Sequence, residues 1–182
     1  MKPPQNKSTS SKQFGQILRG GDRRSIGRAN QVAVRVLKNP ESFSELVACL
    51  WSDDRLIRMR AADAIEKISI KKPELLKPFK AALLALADET TEAELRWHLA
   101  LMLPRLPLGI AERERAAARL QEFLKDPSSI VKTCAIQGWV ELIQDDASKR
   151  DEMVQALEYF CRTGTAAMKA RSRKLLKQVQ KV

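Results

Sequence analysis

The chain has 182 residues, with 33 Lys+Arg against 22 Asp+Glu, for a net charge of +11 at pH 7. Hydrophobic residues are 44% and charged residues 30%, which excludes a wholly disordered chain, and no apolar run reaches the roughly 18 residues of a membrane span. One histidine, His98, excludes a multi-histidine metal site, and the wide spacing of Cys49, Cys134 and Cys161 makes neither a zinc motif nor a disulfide framework.

The first residues, Met1 to Lys7, are basic without an apolar h-region, so no secretory signal is expected. Unpaired cysteines suit a reducing, cytoplasmic location. Residues 1–12 include Pro3, Pro4 and the run Ser8-Thr9-Ser10-Ser11, and read as a flexible basic tail ahead of a single domain at 13–182. Glycine is scarce, aromatics are 5%, and no alternating strand pattern occurs, so the domain reads as all-α. A short helix is expected near 14–18, followed by a helical segment over 26–37. The next helix spans 40–51, with Asn39 as N-cap and Pro40 at the first helical position. A helix from Ile57 follows, then one over 73–87 and one from Leu95. The last four are expected at 112–125, from Val131, at 151–162 and from Met168 to Val179. Ser148 is the expected cap of the 151–162 helix, with Asp151 at its third position. The breaks fall at Asn39-Pro40, Lys72-Pro73, Pro104 to Pro107 and Asp126-Pro127.

Self-comparison aligns the helices beginning at Ile57, Leu95, Val131 and Met168 without gaps, at spacings of 38, 36 and 37 residues. Each opens with an apolar residue followed by Arg or Lys. Four positions on comes a small residue (Ala61, Ala135, Ser172), with Leu99 the exception. Bulky apolar residues recur at offsets 8 and 11: Ile65/Ile68, Leu103/Leu106, Trp139/Leu142 and Leu176/Val179. These offsets describe one helix stripe. The unit is therefore helix, turn, helix, of about 37 residues, with a degenerate copy upstream at Ile26-Gly27-Arg28-Ala29.

The run Ile57-Arg58-Met59-Arg60-Ala61-Ala62-Asp63-Ala64-Ile65, with Asp53 and Asp54 in the turn before it, resembles the HEAT-repeat family. Leu95-Arg96 and Val131-Lys132 keep the opening dipeptide, while Thr91 and Gly164 depart from the turn Asp. The resemblance covers roughly residues 13–180. It implies a right-handed α-solenoid of four to five helix pairs, with second helices lining a concave face and armadillo-like units as near neighbours. It also implies that Asp53/Asp54, Arg58, Arg96 and Lys132 form a structural ladder between repeats.

The function expected from this resemblance is a non-enzymatic scaffold that binds a protein partner in the concave groove. The groove candidates are Arg60, Asp63, Lys67, Trp97, His98, Arg105, Gln137, Glu141, Arg171 and Lys174, a set of mixed sign. His98 shares a column with Arg60, Cys134 and Arg171, but no Ser or Cys nucleophile is spaced to pair with it. No Gly-rich phosphate loop follows Gly20-Gly21. No catalytic, cofactor-binding or metal-ligating residue is assigned.

The alternative is nucleic-acid binding. Residues 1–40 carry nine Lys/Arg against one Asp/Glu, and residues 149–182 carry nine against three, while the middle is slightly acidic. Arg23, Arg24 and Arg28 near one end, and Arg173, Lys177 and Lys181 near the other, are the expected phosphate contacts. At fold level the chain resembles the HEAT-like alkylpurine DNA glycosylases, with Trp97 and Asp63 as the comparable residue types and no motif match. A weaker fold-level resemblance, to bilin-lyase-like HEAT proteins, rests on Cys134.

Overall fold

The structure, a computed structural model, describes residues 11–22 and 25–180. Residues 1–10 of the expected tail lie outside them, and the first helix begins at Ser11. All regular structure among the described residues is helical. The helices are α1 (Ser11–Leu18), α2 (Ala29–Lys38), α3 (Phe43–Ala48), α4 (Arg55–Lys71) and α5 (Lys80–Glu89), then α6 (Ala93–Met102), α7 (Ile110–Phe123), α8 (Ser129–Ile143), α9 (Arg150–Thr163) and α10 (Ala166–Val179). They match the expected elements in number and order. No helix is long and apolar enough to cross a membrane among the described residues.

Prolines set the local departures from α geometry. Pro78 lacks the N–H for a helical bond, so Pro73–Phe79 winds as a 3-10 segment and regular helix begins at Lys80. Pro104 likewise ends α6 at Met102, and Leu103–Arg105 closes as a 3-10 turn. The caps differ from expectation at two places. Asn39 sits before Pro40, but its side chain makes no capping bond; its carbonyl accepts from the Ser42 amide at 3.1 Å and hydroxyl at 2.7 Å. Ser148 does not cap α9. Asp146 takes both the Ser148 amide (3.0 Å) and its hydroxyl (2.6 Å), which folds Ala147–Lys149 into a 3-10 turn and starts α9 at Arg150.

The chain divides into two compact units, Met1–Glu89 and Thr90–Val182. In the first, α4 is central: α1, α2, α3 and the Pro73–Phe79 segment all pack on it. It is buried on nearly every side, and Ala61, Ala62 and Ala64 keep its girth small enough for neighbours on several faces. The Asp54 carboxylate caps it by accepting from the Leu56 amide at 2.9 Å. Phe43 and Phe79 meet edge to face, with centroids 5.7 Å apart.

In the second unit α8 is central, with α6 and α10 against it and α7 paired to it; α9 pairs with α10. Gly138 makes the α6–α8 contact possible. A Cβ there would lie 2.0 Å from the Ala100 carbonyl oxygen, so only hydrogen fits. Trp139, beside it, is buried. On α10 the buried stripe is Met168, Ser172, Leu175 and Val179; Leu176, expected on it, is half-buried. Seven residues nearly complete two helical turns, whereas eight overshoot by about 80°, so Leu175 faces the core better.

Arg96 ties α6 to the turn before α8. Its Nη1 donates to the nearly buried Asp126 carboxylate at 2.6 Å and its Nε to the Thr90 carbonyl at 3.0 Å. Asp126 in turn accepts from the Ser128 amide at 2.8 Å. Arg58 plays a shorter-range part, donating to the Ser52 carbonyl at 2.5 Å.

Candidate functional site

The expected groove residues separate into covered and accessible groups. Arg60 is covered, being 2% exposed. Its guanidinium donates to the carbonyls of Leu18 (2.7 Å), Asp22 (3.0 Å), Ser25 (3.1 Å) and Gly20. Gly27 permits this: its φ is 53°, and a Cβ there would fall 2.6 Å from the guanidinium carbon. Arg60 is thus a clamp for the chain between α1 and α2, which corrects its assignment to an open groove. Asp63 is also buried; it takes Lys67 at 2.7 Å, and Lys67 reaches the Asn30 side chain at 2.6 Å, joining α4 to α2.

His98 is 8% exposed, with the half-buried Trp97 ring edge-on at 5.6 Å. The cause is helix rotation: α6 buries Leu95, His98, Leu99 and Met102 together, so His98, expected to face a groove, lies within the packing. Cys134, in the same column, is half-buried. Cys49 is buried, and burial, with the Glu45 charge nearby, pushes its thiol up to about 11.

Four of the expected residues come together in the second unit. Arg171 on α10 donates to the Gln137 side-chain oxygen at 2.6 Å, which turns the Gln137 amide nitrogen toward Glu141, where it donates to the carboxylate. Gln137 and Glu141 are one helical turn apart on α8. They line a cleft of about 540 Å³ together with Arg105, from the turn after α6. Lys174 does not line it and is exposed elsewhere on α10.

Sequence reasoning missed Gln144, Asp145, Arg150 and Gln178, which complete the polar lining. Arg150 is held there by donating to the Val179 carbonyl at 2.9 Å, at the C-terminus of α10, where a cation is favoured. Nothing in the repeat pattern marks these four. They lie at or beyond helix ends, where the alignment of offsets no longer applies. Met153, Leu175 and Val179 form the cleft's apolar floor.

The lining carries two arginines, two carboxylates and three glutamines, but no Ser, Thr, Cys, His, Lys or Tyr. It has no nucleophile beside a base. Gln144 and Gln178 instead each offer a donor pair and an acceptor, the complement of a peptide group, while the Gln137 amide is already engaged by Arg171 and Glu141. Of the expected phosphate contacts, Arg28, Arg173 and Lys177 are exposed, and Arg23, Arg24 and Lys181 lie outside the described residues.

Comparisons with protein-family models, curated proteins and solved structures give no match to this chain.

Proposed function

We propose that the protein is a non-enzymatic helical-repeat scaffold, a right-handed α-solenoid of HEAT-like pairs, that binds a protein partner along its second helices. The observation that carries this reading is the pair Gln137–Glu141, which lines the cleft of the second unit with Arg105 and is held by Arg171 from outside the lining. These residues come from three second helices or their ends, and α8 has α6 and α10 packed against it. A mixed-sign lining over an apolar floor suits a peptide segment better than a phosphate backbone, which asks for cations alone. The pre-bonded line holds Gln137 in one orientation before any partner arrives, which lowers the ordering cost of binding.

A displayed random-peptide library selected on the whole protein tests this. Peptides enriched on the wild type should be lost on Glu141→Lys and on Gln137→Ala. Enrichment equal on all three proteins, or none on the wild type, contradicts it.

A further inference from the structure

The exposed face of α10 carries a second surface, independent of the cleft. From Gly164 to Val182 the sequence holds six Lys/Arg and no Asp or Glu. The structure sorts these cations. Arg171 turns inward to Gln137, and Lys169 is half-buried. Arg173, Lys174 and Lys177 are exposed. On a 100° wheel they span about 100°, centred nearly opposite the buried stripe of Met168, Ser172, Leu175 and Val179. The remaining residues of that outer face are Ala166 and Ala170, both exposed. Among the described residues no carboxylate pairs with Arg173, Lys174 or Lys177.

We infer that this face of α10 docks the phosphate backbone of a nucleic acid. Three polyanionic or anionic occupants compete for such a surface, and the composition separates them. A membrane-surface helix needs bulky apolar residues to insert, and this face offers only alanine methyls. A protein interface needs an aromatic, arginine-stacked or aliphatic anchor, and the described residues of this face offer no aromatic or bulky aliphatic side chain. A phosphate backbone needs unpaired cations at close spacing and nothing else. Arg173 and Lys177 lie one turn apart, about 6 Å along the helix, with Lys174 between them. Flat small residues beside the cations let a backbone approach without steric hindrance.

The test is fluorescence anisotropy of a short labelled DNA duplex titrated with the full chain across about 50 to 200 mM salt. Three phosphate contacts give a logarithmic salt slope near about −2.7, so affinity should fall roughly 40-fold over that range. The triple variant Arg173→Gln, Lys174→Gln, Lys177→Gln should lose most of the binding and nearly all of the slope, with an unchanged melting temperature because the three side chains are exposed. A control variant, Lys38→Gln, Lys71→Gln, Lys77→Gln, removes the same charge from exposed positions in the first unit and should bind as the wild type does. The inference is overturned if the α10 variant keeps its affinity and slope, if the control loses as much, or if the wild type fails to bind the duplex at about 50 mM salt, whether or not it binds phosphatidylserine vesicles. Because the cleft residues are untouched in both variants, failure here leaves the peptide selection on Glu141→Lys unaffected.

Discussion

Arg60 gives its guanidinium to four backbone carbonyls between Leu18 and Ser25, so the loop after α1 depends on it. Truncating it orphans all four acceptors. Arg60→Ala should cost about 3 kcal/mol in denaturant unfolding, and Arg60→Lys should recover only part, since an ammonium cannot span the set. A loss under about 0.5 kcal/mol for the alanine variant contradicts the clamp. Ser172 makes the opposite case. Its hydroxyl is fully buried with no hydrogen-bond partner among the described residues. Ser172→Ala removes an unsatisfied group and improves helix propensity, so its unfolding midpoint should match or exceed the wild type. Cys49 has its thiol raised from 9.0 to about 11, chiefly by burial. A raised pKa favours the protonated form in the fold, so this contribution to stability is present below pH 9 and is lost as pH rises toward about 11. Near pH 8 the thiol is neutral, and Cys49 should react with a maleimide far more slowly than the half-buried Cys134 and Cys161. Equal rates at all three sites contradict the burial argument.

Four helices follow from the repeat pattern because their apolar offsets recur at one spacing, and the breaks at Pro40, Pro73, Pro104 and Pro127 follow from prolines that deny a backbone donor. That much is legible in Ile57, Leu95, Val131 and Met168 and the residues after them. Rotation of each helix about its axis is less legible. Arg60 and His98 share a sequence column with Cys134 and Arg171, yet the first two are buried and the last two half-exposed. The difference arises from what covers each column, the loop after α1 in one case and the packing of α6 in the other. Pair-specific contacts of this kind leave no periodic trace. The contact at Gly138 is similar: a glycine in mid-helix is costly by propensity, and only the Ala100 carbonyl 2.0 Å from its absent Cβ explains it. Gly138→Ala should force α6 and α8 apart and cost about 2 kcal/mol or more, read as a fall in urea midpoint. A neutral outcome would show that the two helices can separate without penalty.

Across the chain the charge is divided by role. Basic residues dominate 1–40 and 149–182, and the middle is slightly acidic. Within the second unit, the cleft mixes Arg105 and Arg150 with Glu141 and Asp145, while the outer face of α10 is cationic alone. The two proposals, a protein segment in the cleft and a phosphate backbone on the outer face of α10, therefore rest on separate residues. The most direct test of the proposed scaffold role is site-specific photo-cross-linking in cells, from Gln144 in the cleft and from exposed Gln121 on α7 as control. A discrete, nuclease-resistant protein adduct from position 144, absent from position 121 and absent when Glu141→Lys is added, is the expected result. Adducts that are the same from both positions, or that nuclease removes, contradict a protein partner in the cleft.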